Sequence, residues 1–235
     1  MSTEMPPLRP ESGAATTLQI LATEHWSLLA TRALTYNESL SRVTIFLAIL
    51  SGAMIALALV AQVSRFGPAF VAIAIPLLAV VVFTGISTIG RLMRLNGDDH
   101  RWVIGMNRLR HAYLELHPEL EPYFVTSPYD DLAGALQTIG YPMVTGRRVG
   151  SVFHALQVLP GMLSVIVASV VGAIAALAAL AIGVPRLVVV LAAGGAFVIA
   201  MVLLTRWGRR GLRGSDPSLE PRFPTPPTPS ARSGI

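Results

Sequence analysis

The sequence predicts an all-α integral membrane protein with four transmembrane helices, arranged as two hairpins joined by a cytosolic helical segment. Three observations predict it. Hydrophobic residues make up 53% of the 235 and charged residues only 13%, against about 25% charged in soluble domains. The apolar excess is gathered into four runs, residues 43–63, 69–90, 158–182 and 187–205, each long enough to cross a hydrocarbon core of about 30 Å. The charge is gathered between the pairs, where residues 91–157 hold seven of the 18 basic and seven of the 13 acidic residues.

In chain order, residues 1–14 carry Pro6, Pro7 and Pro10 with Glu4 and Glu11 and no apolar stretch. They read as disordered and not as a cleavable signal, so the first run acts as its own insertion signal. Residues 15–42 predict an amphipathic helix, since Leu18, Leu21, Ala22, Leu28, Leu29, Tyr36 and Leu40 recur at steps of three and four. Trp26 and Tyr36 suit a membrane surface, although the helix covering its neighbours is the simpler use. In the first span Ala48, Gly52 and Ala56 form a small-residue face that lets another backbone approach. A turn over residues 64–68 follows, and Pro76 predicts a kink in the second span.

The central segment opens with Leu92, Leu95, Trp102, Met106, Leu109, Tyr113 and Leu116 at helical spacing. That is a packing seam on a helix running on from the second span, unless Asn96-Gly97-Asp98 breaks it. Pro118 ends it. Residues 119–126 are irregular. Ser127-Pro128-Tyr129-Asp130 reads as a capping box for a short helix that Gly140 closes. Arg147, Arg148 and His154 lead into the third span, whose small face is Ser164, Ala168, Gly172 and Ala176. The fourth carries Ala192, Ala196 and Ala200. Residues 206–235 read as a basic stretch and then a Pro-rich disordered tail.

The composition narrows the chemistry. Every basic residue is Arg, and most lie beside an apolar run, as orientation signals do. A nucleic-acid partner is therefore not expected; the expected partners are the lipid bilayer and either copies of the chain or a membrane partner protein. Arg42, Arg91, Arg94, Arg147, Arg148, Arg206, Arg209 and Arg210 flank one side, against Arg65 and Arg186 on the other. That bias places both termini and the central segment in the cytoplasm of a bacterial inner (plasma) membrane. There is no cysteine, and none of the four runs holds an ionisable side chain. Thiolate chemistry is excluded, and a proton-coupled carrier or intramembrane hydrolase is disfavoured.

No catalytic set, metal site or cofactor is expected. Asp98, Asp99, His100, His111, Glu115 and His117 offer ligand types without the converging spacing that zinc needs. His111 and Glu115 read equally well as an exposed helix pair. Asp130 and Asp131 read as structural, with Asp130 in the capping box. The one notable polar cluster is Asn107-Arg108-x-Arg110-His111. Arg108, Arg110 and His111 can contact an anionic lipid headgroup or ligand. The competing reading pairs the two arginines with Glu115, Glu119, Glu121, Asp130 or Asp131.

Glu24-His25-Trp26, Asn107-Arg108-Leu109-Arg110 and Tyr129-Asp130-Asp131 resemble a group of uncharacterised multi-pass membrane proteins of GC-rich bacteria, over most of residues 18–205. The resemblance implies the architecture and no activity. The expected function is thus non-enzymatic: an oligomeric scaffold, sensor or partner subunit, with an oligomeric pore or channel as the alternative and a small transporter third. Two structural expectations accompany it. Leu109→Asp should disrupt the seam where Arg110→Ala is tolerated, and removing everything after Gly214 should cost nothing.

Overall fold

The computed structural model describes residues 10–140, 159–211 and 219–226. All regular structure among them is helical: α1 Pro10–Ser64, α2 Pro68–Leu116, a 3-10 turn Pro118–Tyr123, α3 Leu132–Ile139, α4 Leu159–Ala181 and α5 Arg186–Gly211. Four of these helices, α1, α2, α4 and α5, are long and apolar enough to cross a membrane. Residues 1–9, 141–158, 212–218 and 227–235 lie outside the description, and with them Arg147, Arg148, His154 and Arg213.

α1 begins at Pro10, inside the stretch expected to be disordered, and runs without a break through the first apolar run. Proline suits a helix start because its missing N–H would have no partner there. α2 likewise runs through Pro76 and through Asn96-Gly97-Asp98. A helical glycine costs about 1 kcal/mol. Leu92 and Leu95 on one side of it and Val103 and Ile104 on the other are all buried, which offsets that cost.

The chain divides into two compact units. The apolar unit comprises the described residues 36–97 and 159–211, and the polar unit comprises 10–35, 98–140 and 219–226. In the apolar unit one core cluster joins Phe46 and Ala53 of α1, Val81, Ile89, Leu92 and Leu95 of α2, Leu163 and Val167 of α4, and Leu204 of α5. A second joins Leu57 and Ala61 to Phe70, Ala74 and Leu78. α1 and α2 meet through a tight turn in which Arg65 (φ 49) and Phe66 (φ 59) take left-handed backbone. Glu38 accepts from Arg42 Nε at 2.8 Å and from Arg91 Nε at 2.9 Å, tying α1 to α2.

Small residues set how closely these helices approach. A Cβ on Gly172 would meet the Ala193 carbonyl oxygen at 3.0 Å, and Ser164 and Ala168 are buried on the same face of α4. Ala176 is half-buried, as are Ala192, Ala196 and Ala200 of α5. Ala196 and Ala200 line an apolar cavity of about 390 Å³ with Ile86, Val167, Val171 and Leu203 among its other walls. The α1 face is different. Ala48 and Gly52 are exposed and Ala56 is half-buried, because α1 turns Phe46, Ala53, Leu57 and Ala61 inward instead. A Cβ on Gly52 would meet nothing within 4 Å.

Candidate functional site

The densest polar constellation among the described residues lies in the polar unit, around Asn107 of α2. Asn107 is fully buried. Its Nδ2 donates to the Tyr129 carbonyl at 2.7 Å, and its Oδ1 accepts from Arg110 Nη1 at 2.7 Å and Thr138 Oγ1 at 2.9 Å. One amide thus joins α2, the 124–131 loop and α3. Gly134 makes the geometry possible, since a Cβ there would collide with the Tyr129 backbone.

The expected capping box does not form. α3 begins at Leu132, and its cap is Asp131, whose Oδ1 accepts from Gly134 N at 2.8 Å. Asp130 is released for other work. Its side chain is wholly buried and accepts three hydrogen bonds: from Arg108 Nε at 2.7 Å, Arg222 N at 2.9 Å and Phe223 N at 2.8 Å. Three donors to a buried carboxylate outweigh the single bond a cap would supply. Burial alone would raise the Asp130 carboxyl, but the bonds from Arg222 N, Arg108 and Phe223 N overcome it and hold the group below the usual carboxylate range. Asp131 is lowered in the same way, against burial, by Gly134 and Thr225.

Of those donors, Arg222, Phe223 and Thr225 belong to the C-terminal segment, residues 219–226, which composition assigns to a solvated tail. Asp130 N donates back to the Phe223 carbonyl at 3.1 Å. Arg108 Nη2 donates to the Glu220 carbonyl at 2.9 Å. Thr225 gives both N (3.0 Å) and Oγ1 (2.7 Å) to Asp131. The His111 ring stacks on Phe223 at 4.0 Å between centroids, and Leu219 packs on Val103, Ile104 and Ala135. The sequence did carry a signal, since Leu219 and Phe223 are the two large apolar side chains of residues 214–234, four apart.

The candidate anion cluster is thereby divided. Arg108 and His111 face the C-terminal segment, and Arg108 takes Asp130 as its acid. Arg110 lies on the Asn107 side, 9% exposed, with no carboxylate partner among the described residues. Arg32 of α1 holds Asp99 of α2 at 2.7 Å. His111, half-buried against Phe223, is 3.7 Å from exposed Glu115, and His117 meets Glu119 at 2.9 Å. No group of three metal-ligating side chains occurs among the described residues.

The predicted seam is used in part. Met106 is buried, and Trp102, Leu109 and Tyr113 are half-buried, while Leu116 is 41% exposed. Tyr113 stacks on His25 of α1 at 5.9 Å, and a Cβ on Gly105 would meet Leu28 Cδ1 at 3.0 Å. A second buried face, Val103, Ile104, Asn107 and Arg110, lies beside the seam and was not anticipated. Two of its four members are polar, so a search for apolar periodicity passes over it. Compared with protein-family models, curated proteins and solved structures, the chain matches none.

Proposed function

We propose that this is a non-enzymatic, oligomeric membrane subunit: a scaffold, sensor or partner protein held in the bilayer as two helical hairpins, with the polar unit and both termini in the cytoplasm. One observation carries the reading. The ionic and amide groups of the polar unit, buried Asn107 and Asp130 with half-buried Arg108, bind main-chain groups of other chain segments. That is the chemistry of holding peptide. The outward Ala48 and Gly52 of α1 add a face on which a second helix can pack closely in lipid.

Reconstitution tests it. In nanodiscs the protein should form one discrete oligomer, which Gly52→Leu shifts toward monomer, and planar bilayers should show no conductance. Steady single-channel currents would instead establish the pore. Sidedness can be read from single cysteines in this cysteine-free chain. Gln137 of α3 is exposed and serves better than Ser127, which is 1% exposed. If an impermeant thiol reagent added outside labels Gln137→Cys and spares Ser64→Cys, the orientation is the reverse of the one proposed.

A further inference from the structure

The C-terminal segment is built like a ligand. Within residues 221–226 the prolines, at 221, 224 and 226, have no N–H to satisfy, and every remaining amide, at Arg222, Phe223 and Thr225, donates to Asp130 or Asp131. Prolines hold such a segment extended before it binds, which lowers the ordering cost. Its grip is mostly main chain. The side chains of Glu220, Arg222, Pro224, Thr225 and Pro226 lie exposed, and only Leu219 and Phe223 are partly covered.

The receiving surface is complementary even considered without the segment. It presents the Asp130 carboxylate, two donors in Asp130 N and Arg108 Nη2, the face of the His111 ring, and an apolar patch of Val103, Ile104 and Ala135. Main-chain hydrogen bonds give such a site its hold, and the side-chain contacts of Leu219, Phe223 and Thr225 give it specificity. With so little apolar surface closed off, binding is of the weak, exchangeable kind.

We infer that this surface is a linear-peptide recognition site, occupied by Leu219–Pro226 as a placeholder, and that its partner is an extended segment of another protein bearing an aliphatic residue, then four residues later an aromatic-Pro-Thr. The partner displaces the chain's own segment. The inference goes beyond the oligomer reading and stands without it, because it concerns groups inside the polar unit alone.

The test uses full-length protein in nanodiscs and a fluorescein-labelled synthetic peptide of residues 219–226, read by anisotropy. In wild type the tethered segment competes at the high effective concentration of an intramolecular ligand, so labelled peptide should bind weakly. Phe223→Ala loosens the placeholder without touching the receiving surface, and should raise the apparent affinity for the peptide at least tenfold. Thr225→Ala should do the same to a smaller degree, which guards against misfolding of the first variant. Adding Asp130→Asn to Phe223→Ala should abolish the gain, and a peptide with alanine at the Phe223 position should not bind. Equal affinity of wild type and both tail variants for the peptide overturns the placeholder. Absence of binding to folded Phe223→Ala and Thr225→Ala, checked by circular dichroism, overturns the recognition site and leaves the segment a fixed strut.

Discussion

Each of the two units of this chain is organised internally, and by opposite chemistry. In the apolar unit, Gly172 lies close against the Ala193 carbonyl and Phe46, Val81, Ile89 and Val167 fill the space between helices. Lipid tails are as apolar as these side chains, so close packing, and not escape from water, is what favours association there. In the polar unit the described apolar cluster is small, Val103, Ile104 and Ala135. Its definition comes from Asn107 and Asp130, each buried: Asn107 is bonded to Tyr129, Arg110 and Thr138, and Asp130 to Arg108, Arg222 and Phe223. Shape complementarity organises one unit and hydrogen-bond complementarity the other.

The largest expected effect breaks the polar side of that contrast. Asp130→Ala leaves Arg108 and the part-buried amides of Arg222 and Phe223 without their acceptor, and removing the buried member of an ion pair costs about 3–5 kcal/mol. Hydrogen exchange should show residues 103–110 and 132–139 losing protection while the α4 and α5 amides keep theirs. Next comes the apolar side. Gly172→Leu should cost about 1–3 kcal/mol by overpacking against α5, while Gly52→Leu, facing open space, should leave the monomer's melting temperature unchanged. A comparison of thermal melts for the two variants in a monomeric detergent decides it.

Acid should act on the two units differently too. Asp130 and Asp131 both titrate below their ordinary value of 3.8 in the folded chain. A lowered folded pKa means stability that is whole above 3.8 and lost as pH falls from there through the folded values. The C-terminal segment should therefore detach below about pH 3.8, seen as new cleavage after Arg222 by an acid-tolerant protease, with the spanning helices intact. A smaller effect concerns Arg110, a buried cation without an acid among the described residues. Arg110→Met should change stability by less than about 1 kcal/mol, because an apolar chain of similar volume replaces a charge that burial disfavours. Leu109→Asp puts a charge into a half-buried apolar position and should cost more than Arg110→Met. The smallest is Gly97→Ala, which meets nothing within 4 Å and should stabilise α2 by about 0.5–1 kcal/mol.

What the sequence made legible follows the same division. Helix class, the four apolar runs and the Ser164, Ala168, Gly172 face were readable because lipid demands long apolar segments and small contact residues. The polar unit was only half readable. Apolar periodicity found Met106 and Tyr113 but passed over Asn107, whose partners Tyr129 and Thr138 lie 22 and 31 residues away, and Arg110, which donates to Asn107. The proline at 128 drew the helix start four residues too early, since nothing local says that Asp130 has better donors. Composition also hid the C-terminal segment: prolines that mark a solvated tail equally mark an extended peptide with few amides to satisfy. Removing residues after Gly214 is therefore expected to weaken the polar unit, the reverse of what composition alone suggests.

The most direct measurement is amide hydrogen exchange on the full-length protein in nanodiscs, read at residues 222, 223 and 225. Those three amides should be protected at least tenfold over an unstructured chain, and Asp130→Asn should return them to the unstructured rate without altering the apolar unit. Amides that exchange freely in the wild-type protein would contradict the account, because the hydrogen-bonded surface around Asp130 would then have nothing to hold.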